Sequence, residues 1–549
     1  MHGAIWKSED NAMKLSLESL RTQRADWEAA GVRLPSYDLC TVTEETKKSP
    51  LWVHFGIGNI FRIFIGGIAD QLLEKGVSKK GITCVESFDF DVVDKIYDPY
   101  DNLALGVTLK ADGSTEKQVI GSLTEAIRAR SQDTESWGRL KAIFRNPELQ
   151  LCSFTITEKG YALKNAAGEF FPFVQADIDH GPEKPGSAMA IVTALLYERF
   201  QAGQYPLAVV SMDNCSHNGE KLMSAVLTMA ESWKQKGFVS QSFVDYLEDE
   251  ARVAFPWSMI DKITPRPAAS VEQELERLGI EGMTPVITSK NTYIAPFVNA
   301  EGPQYLVVED KFPNGRPAFE QAGVYMTDRD TVNKVERMKV TTCLNPLHTA
   351  LAVYGCVLGY TLIADEMKDR ELKELVRRIG PVEGMPVVTD PGILSPERFV
   401  DEVIHVRIPN PFMPDTPQRI ATDTSQKVGI RYGETIRSYV ERYGDAGRLQ
   451  AIPLAIAGWL RYLIGVDDEG QAFERSPDPM LSELTEQLKG IELGKPESVG
   501  DKLRPILSNA NIFGSDLYAA GIGERIEGLF AEELAGPGAV RATLKKYLN

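Results

Sequence analysis

The sequence of 549 residues predicts an α/β N-terminal domain with a mostly parallel sheet, followed by an all-α C-terminal domain. Up to about residue 330, short apolar runs typical of buried strands alternate with helical stretches. This order requires a sheet that is covered by helices on both faces. Beyond that point nearly every stretch has helical periodicity. A chain of this length is also too long for one ordinary domain.

We predict three segments along the chain. Residues 1–50 form a polar helical arm, residues 51–330 a first domain that binds a nucleotide, and residues 331–549 a helical domain that binds the substrate. The strand patterns of the first domain lie at 51–55, 81–91, 149–157 and 206–214. The helices predicted for the second domain are 345–363, 366–379, 396–407, 432–443, 451–463 and a stretch from 523.

Composition and charge exclude several classes of function. A formal charge of −17 argues against nucleic acid or an anionic membrane as a partner. The sequence has no run of eighteen apolar residues, so we expect no transmembrane helix. The N-terminus lacks the apolar core of a signal peptide. The six cysteines are scattered, with no CxxC pair and no Cys/His cluster of metal-ligand spacing. We therefore expect reduced thiols, a cytoplasmic protein and no metal.

A glycine turn follows the first predicted strand. Gly56-x-Gly58, with Asn59 next, leads into a helical pattern, which is how a Rossmann-like domain holds a dinucleotide pyrophosphate. Phe61 stands where a third glycine is usual, so a plain tight turn is the alternative. Glu86 lies 28 residues after Gly58, at the end of the second strand. It would bond the adenosine ribose and repel the extra phosphate of NADP, which favours NAD, unless it is an ordinary loop acid.

A lysine, an asparagine and a histidine gather before an apolar helix. Lys339, Asn345 and His348 lie within ten residues, and the helix that follows has a core-like composition. Removing a hydride from an alcohol needs a base for the hydroxyl proton, and a buried lysine can serve. An asparagine amide can donate to the developing alkoxide. The alternative for His348 is a capping or core histidine.

Six stretches along the chain form an ordered set of motifs. They are "HFGIGNIFR" (54–62), "TITEKGY" (155–161), "SMDNCSHNG" (211–219), "MIDKITP" (259–265), "LNPLH" (344–348) and "QRIATDTSQK" (418–427). In this order they resemble the motifs of the polyol-specific long-chain dehydrogenases and reductases, a family that includes mannitol 2-dehydrogenase, fructuronate reductase and tagaturonate reductase. The chain is identified as a member of the family over residues 51 to about 430.

The resemblance implies a role for each site residue. Lys339 would be the base in alcohol oxidation and the proton donor in ketone reduction. Asn214 and Asn345 would hold the reacting oxygen, with His348 nearby. The other implied residues are Asp261 at the edge of the site, Arg419 and Lys427 for substrate hydroxyls or a carboxylate, Glu158 and Glu336 for proton movement or positioning, and Gly56, Gly58, Asn59, Glu86 and Glu158 around NAD.

One spacing departs from the family. Five residues separate Lys339 from Asn345, where the family has four. In a continuous α-helix the extra residue would rotate Lys339 by about 100° relative to Asn345. We therefore predict a one-residue bulge or a break before the helix, where the β-branched pair Thr341 and Thr342 would suit a non-helical segment.

The resemblance implies a metal-independent reduction of D-fructuronate to D-mannonate by NADH. Arg419 and Lys427 suit a carboxylate, but polyol members carry the same pair, so D-tagaturonate and the fructose–mannitol pair stay as alternatives. A non-catalytic NAD-binding protein on this fold is a further alternative. The absent Cys/His cluster disfavours a zinc-dependent alcohol dehydrogenase. Members of the family are often monomers, and we expect His348 to face the interdomain cleft.

Overall fold

The computed structural model describes residues 12–549, so the first eleven residues of the predicted arm lie outside the described residues. The chain divides into two compact units. Unit 1 runs to Lys110 and continues from Ser114 to Asn333. Unit 2 contains Ala111–Gly113 and Lys334–Asn549. None of the helices formed by residues 12–549 is long and apolar enough to cross a membrane.

Unit 1 contains all the strands of the described chain. They are β1 (Met13–Lys14), β2 (Val32–Arg33), β3 (Trp52–Phe55), β4 (Ile82–Glu86), β5 (Ala104–Leu109), β6 (Thr115–Ile120), β7 (Leu123–Arg128), β8 (Leu151–Phe154), β9 (Leu207–Ser211), β10 (Val253–Ala254), β11 (Ser258–Asp261), β12 (Ile280–Glu281), β13 (Val286–Ile287), β14 (Tyr293–Ile294), β15 (Phe297–Glu301), β16 (Tyr305–Glu309) and β17 (Tyr325–Thr327).

A six-stranded parallel sheet forms the centre of unit 1. Its strand order is β10-β9-β8-β3-β4-β7, and every neighbouring pair is parallel. In β3 all four residues are buried, as expected for a strand that is covered on both faces. Because parallel strands end at the same edge, the segments after β3, β4, β8 and β9 meet there. This edge carries the glycine turn, Glu86, Glu158 and Asn214.

Ten α-helices of the described chain lie wholly within unit 1. They are α1 (Leu17–Thr22), α2 (Arg24–Ala29), α3 (Leu39–Lys48), α4 (Gly66–Glu74), α5 (Thr134–Arg145), α6 (Pro172–His180), α7 (Ala188–Gly203), α8 (Asn218–Gln235), α9 (Gln241–Glu248) and α10 (Ala269–Arg277). One apolar cluster joins β3 and β8 to α5, α7, α8 and α9. A second cluster joins the sheet to α4 and the π-helix Phe61–Ile65. The sequence therefore predicted the α/β class of this unit correctly.

Over residues 12–50 the N-terminal segment contributes two short strands as well as the helices α1, α2 and α3. Strand β1 pairs with β12, and β2 pairs with β6 in the four-stranded sheet β15-β5-β6-β2. The Tyr37 hydroxyl donates to Asp70 on α4. This part of the segment is thus integrated into unit 1.

Unit 2 is helical, as predicted. Helix α11 (Arg329–Met338) leads into it. Its helices are α12 (Asn345–Val357), α13 (Ile363–Glu366), α14 (Arg370–Arg377), α15 (Pro396–Glu402), α16 (Pro417–Ile420), α17 (Glu434–Tyr443), α18 (Ala451–Leu463), α19 (Leu481–Gln487), α20 (Arg504–Leu507), α21 (Ala510–Phe513), α22 (Gly523–Glu533) and α23 (Ala539–Leu548). Its π-helices are Lys339–Cys343, Arg378–Gly384, Val403–Arg407 and Gly429–Gly433.

Helices α12 and α18 form the core of unit 2. Every residue of α18 is buried, and α12 is buried from Thr349 to Val357. The Tyr354 hydroxyl donates to Leu454 O at 2.7 Å and lies 2.6 Å from Glu533 Oε1. One hydroxyl carries one proton, so the second contact requires a protonated carboxyl. Burial raises the pKa of Glu533 to about 8, which keeps that proton in place near neutral pH.

A buried carboxyl group caps helix α18. Glu383 Oε1 accepts hydrogen bonds from the backbone N–H groups of Gln450 (2.6 Å) and Ala451 (2.7 Å), and its Oε2 accepts from Ile452 N–H (2.9 Å). The first N–H groups of an α-helix have no partner within the helix, so an acceptor from elsewhere must satisfy them when they are buried. Glu383 thereby ties the π-helix Arg378–Gly384 to α18.

The substitution Glu383→Gln should destabilise unit 2. An amide offers one oxygen in place of two, so at least one buried N–H group loses its acceptor, at a cost of about 1–3 kcal/mol. Thermal unfolding should show a lower Tm. Glu486→Gln, which removes an exposed ion pair with Lys489, is the matched control and should leave the Tm unchanged. An unchanged Tm for Glu383→Gln would contradict the capping role.

Candidate active site

The glycine turn has the backbone geometry that its sequence predicts. Gly56 has a φ of +87°, and a Cβ atom there would lie 2.1 Å from the carbonyl oxygen of Thr155. Only glycine fits such a position. Gly58 has an ordinary backbone, and no heavy atom of the described chain lies within 4 Å of a Cβ built on it. The first glycine therefore shapes the turn, and the second leaves open space beside it.

A chain of buried side chains supports this turn from below. Trp52 Nε1 donates to Ser153 Oγ (2.7 Å), which lies 2.7 Å from His54 Nδ1. His54 Nε2 lies 2.8 Å from Thr155 Oγ1, which donates to Gly56 O (2.7 Å). Burial lowers the pKa of His54 to about 3, so the ring is neutral. Sequence analysis missed this support, although a histidine inside an apolar strand was the available signal.

Asn59 has a structural partner. Its Oδ1 accepts a hydrogen bond from Arg62 Nη2 at 2.8 Å, and Arg62 Nη1 donates to Ala295 O at 2.7 Å. Arg62 is buried in the π-helix Phe61–Ile65. Asn59 thus joins the glycine turn to the helical segment that follows it, whatever further contact it makes with a ligand.

Glu86 lies beside the glycine turn, and one oxygen of its carboxylate is bonded to its own loop. Oε1 accepts from the N–H groups of Ser87, Phe88 and Asp89 at 3.0, 2.9 and 3.2 Å. Oε2 lies 3.5 Å from Ile57 N. Burial raises the pKa of this carboxyl, and the backbone N–H groups oppose that shift. Oε2 is the oxygen with capacity for a further donor.

The ends of β8 and β9 are joined by a carboxyl group that sequence analysis did not single out. Asp213 accepts from the N–H groups of Ile156 (2.9 Å) and Thr157 (2.8 Å) and from the Tyr161 hydroxyl (2.5 Å). Burial raises its pKa, and these bonds oppose the shift. The following residue, Asn214, is exposed. The signal for Asp213 was its place within the "SMDN" motif.

Glu158 and Asp261 differ in burial. Glu158 is exposed, forms an ion pair with Lys221, and lines a cavity of about 770 Å³ together with Tyr161 and His217. Asp261 is buried and ends β11, which belongs to a separate three-stranded sheet. Both lie in unit 1, but the central sheet positions only Glu158 directly.

The bulge predicted between Lys339 and Asn345 is present. Residues Lys339–Cys343 form a π-helix, and Leu344 N–H donates to Lys339 O at 3.1 Å, five residues back. The π-helical turn absorbs the extra residue before α12 begins at Asn345. Lys339 is buried, whereas Asn345 and His348 are partly exposed at the start of α12. Glu336 lies one turn earlier, on α11.

His348 lies in a positively charged environment. Desolvation by the surrounding protein lowers its pKa to about 4. The charge of Asp415 raises the pKa, while Arg407, Arg431 and Arg419 lower it further. His348 is therefore neutral near pH 7, and its ring can donate one hydrogen bond and accept another. Arg407 and Arg431 were missed from the sequence, where they look like ordinary solvated charges.

The predicted basic pair has partners within unit 2. Arg419 has a side chain that is 65% exposed and forms an ion pair with Asp415, four residues earlier. Lys427 Nζ donates to Thr422 O at 2.5 Å. Desolvation lowers the pKa of Lys427, and Arg431 and Arg419 lower it further, against the charges of Asp423 and Asp478. Of the two cations, Arg419 acts electrostatically on His348, but it is already paired with a carboxylate.

Comparison with known proteins decides the family. The profile of the mannitol dehydrogenase Rossmann domain matches residues 51–321, and that of the mannitol dehydrogenase C-terminal domain matches residues 331–527. The chain belongs to the mannitol dehydrogenase family. The D-mannonate oxidoreductase of Thermotoga maritima is 55% identical over 98% of this chain and 99% of that protein.

Two solved structures are similar to this family member over most of its length. Pseudomonas fluorescens mannitol 2-dehydrogenase, in a ternary complex with NAD and D-mannitol, has a TM-score of 0.68 and 27% identity over 97% of this chain and 99% of that chain. Substrate-free D-sorbitol dehydrogenase has a TM-score of 0.73 and 27% identity over 92% of this chain and 98% of that chain. The predicted family and fold class are confirmed, and the chain is an oxidoreductase of this family.

Residues 12–549 contain no group of three or more His, Cys, Asp and Glu side chains that is arranged to hold a metal ion. Each unit has its own group of candidate residues: in unit 1 the edge around Gly56, Glu86 and Asn214, and in unit 2 the turn from Lys339 to His348 with its surrounding cations. The roles that the family resemblance gives to the individual residues stay predictions.

The two glycines of the turn should respond differently to substitution. Gly56→Ala places a Cβ against the Thr155 carbonyl in a backbone conformation that disfavours side chains, so the Tm should fall. Gly58→Ala meets open space and should leave the Tm unchanged. Thermal unfolding of both variants checks this contrast. Equal Tm values for the two variants would contradict the separate roles.

His54 should make stability depend on pH. Its pKa of about 3 lies below the value of about 6.5 expected in the unfolded chain. The contribution of the neutral ring to stability is complete above pH 6.5 and is lost as the pH falls toward 3, because the unfolded chain then binds a proton that the folded chain does not. The free energy of unfolding should fall by about 2 kcal/mol between pH 7 and pH 5. The Tm of His54→Gln should therefore fall less between pH 7 and pH 5 than the Tm of the parent protein. His180→Gln, at an exposed position, is the control; a parent-like slope for His54→Gln would contradict the account.

Proposed function

We propose that this protein is a metal-independent, NAD(H)-dependent oxidoreductase that interconverts D-fructuronate and D-mannonate. The observation that carries the proposal is the 55% identity over 98% of the chain to a D-mannonate oxidoreductase. The identity to the mannitol 2-dehydrogenase of known structure is 27%. The cations around His348 support an acidic substrate, because function is decided by the site rather than by the fold.

The edge of the central sheet in unit 1 fits NAD. Gly56 shapes a turn that Gly58 leaves open to the outside, and the helical segment that starts at Phe61 follows directly. A backbone of this form stabilises a diphosphate through N–H groups and the helix dipole. Glu86 Oε2 faces this turn and can accept from a ribose hydroxyl. When bound, NADH supplies the hydride for ketone reduction.

Lys339 and its neighbours handle the proton in the proposed reaction. In reduction, the Lys339 ammonium group donates a proton to the carbonyl oxygen of the substrate as the hydride reaches the carbon. In oxidation, the neutral amine takes the hydroxyl proton. Asn345 and Asn214 donate hydrogen bonds to the same oxygen and stabilise its developing charge. Neutral His348 orients the substrate beside them.

The remaining predicted residues have supporting roles in this proposal. Asp261 lies at the edge of the substrate site, Arg419 and Lys427 contact substrate hydroxyls, and Glu336 moves or positions the proton near Lys339. For Glu158, the ion pair with Lys221 supports a positioning role.

We further propose a cytoplasmic monomer whose only ligands are small molecules. Six free thiols support a reducing compartment, since disulfides are rare there. The formal charge of −17 disfavours nucleic acid and anionic membranes as partners.

A comparison of substrates tests the proposed reaction. The purified protein is assayed by NADH oxidation with D-fructuronate, D-tagaturonate and D-fructose, each with and without EDTA. We expect the highest kcat/KM for D-fructuronate and no effect of EDTA. A higher kcat/KM for D-tagaturonate or D-fructose would show that D-fructuronate is not the preferred substrate. Loss of activity in EDTA would overturn the metal-independent mechanism, and no turnover with any of them would favour a non-catalytic NAD-binding protein.

The substitution Lys339→Ala should remove the acid–base step. General acid–base catalysis contributes typically about 10²–10⁴-fold, so kcat should fall by that factor. The Kd of NADH, measured by fluorescence titration, should change little. Lys489→Ala, which removes an exposed lysine, is the control. A near-normal kcat for Lys339→Ala would show that another residue is the acid–base catalyst.

A further inference from the structure

We propose that Arg431 is the receptor for the substrate carboxylate and so distinguishes a uronate from a neutral sugar. This inference rests on the proposed function and identifies the residue that selects its substrate. Arg431 lies in the π-helix Gly429–Gly433 and is half-buried. Its Nη1 donates to Thr349 Oγ1 at 2.5 Å.

Arg431 is a partly buried cation whose guanidinium group has one hydrogen-bond partner among the described residues. Within residues 12–549, no Asp or Glu forms an ion pair with it. The guanidinium group is partly removed from water, and this burial lowers its pKa to about 10. A charge that is partly desolvated and unpaired is costly, and a bound anion would offset that cost.

The position of Arg431 is determined by its own segment. The Tyr432 hydroxyl donates to Pro346 O at 3.0 Å, which ties the segment to the first turn of α12. A Cβ on Gly433 would lie 2.0 Å from Phe513 O, so this backbone packs closely against α21. Thr349, the partner of Arg431, directly follows His348 in the chain. The guanidinium group is therefore held close to the residue that is proposed to orient the substrate.

The neighbouring cations are less suited to the task. Arg419 is paired with Asp415 and is mostly exposed, and Lys427 gives its ammonium group to a backbone carbonyl. A guanidinium group presents a planar fork that matches a carboxylate with two parallel hydrogen bonds. With one Nη atom bonded to Thr349, the rest of the fork is available. A neutral polyol offers no charge to balance Arg431, whereas a uronate or aldonate does.

The test compares an acid with its neutral ester. We would measure kcat/KM for D-fructuronate and for its methyl ester, with NADH, in the parent protein and in the variants Arg431→Gln and Arg431→Lys. The parent should prefer the acid. Arg431→Gln should lose on the order of 10²-fold in kcat/KM for the acid, mainly through KM, and little for the ester. Arg431→Lys should keep part of the preference, because it retains the charge without the fork.

Two controls separate selection of the carboxylate from folding. Arg437→Gln removes an exposed arginine that pairs with Glu434 on α17, and its acid-to-ester ratio should equal that of the parent. The Tm of Arg431→Gln shows whether the variant is folded. Calorimetric titration with D-mannonate provides a readout without turnover, and Arg431→Gln should weaken this binding by a similar factor.

Each outcome decides the inference. The inference is overturned if Arg431→Gln leaves the acid-to-ester ratio of kcat/KM unchanged, whether both substrates lose equally or neither loses. Arg431 would then be a structural residue. If the parent fails to reduce D-fructuronate, the proposed function fails. Calorimetry with D-mannonate then still decides whether Arg431 binds a carboxylate.

Discussion

The hydrogen bond from Leu344 N–H to the Lys339 carbonyl closes a turn one residue wider than an α-helical turn. The candidate site of unit 2 depends on this turn, because a continuous α-helix would rotate Lys339 by about 100° from its family position relative to Asn345. The turn is buried at Thr341, Thr342 and Cys343. The helix beyond it is anchored at Pro346 by Tyr432, and deeper in the core by Tyr354.

Buried carboxyl groups organise the loops of both units. Glu86, Asp213 and Glu383 each accept hydrogen bonds from two to four backbone N–H groups of loops or of a helix N-terminus. Each carboxyl is desolvated, and each is stabilised by the N–H groups that it orders. A carboxylate at the end of a strand can therefore bind the backbone N–H groups of its own loop as well as a ligand. This explains why Glu86 lies where a ribose acid was predicted and yet gives one oxygen to the backbone.

Local patterns predicted the parts of the fold that local forces decide. The strand, glycine turn and helix at 51–73, and helix α18 with the predicted bounds 451–463, follow from hydrophobic periodicity. The sheet that joins β5 to β15 was not predicted, because its strands lie almost two hundred residues apart and pair only in the folded chain. The predicted helix 345–363 ends at Val357, before Gly359, and the helices predicted at 366–379 and 396–407 each end in a π-helix.

The candidate site shows the same division. Lys339, Asn345 and His348 could be found because they share one short stretch with a recognisable chemistry. Arg431 could not, since a charged residue in "KVGIRYGE" looks solvated until that segment docks on α12. The pairing of Arg419 with Asp415 was readable as two opposite charges four residues apart. It would have weakened the argument that Arg419 binds a carboxylate.

The most direct test of this account is a crystal structure of the protein with NAD and D-mannonate bound. The account predicts that Lys339 Nζ and the Asn345 amide both lie within hydrogen-bond distance of the hydroxyl that is oxidised, about 2.6–3.2 Å. A Lys339 side chain directed away from Asn345 and His348 in that complex would contradict it.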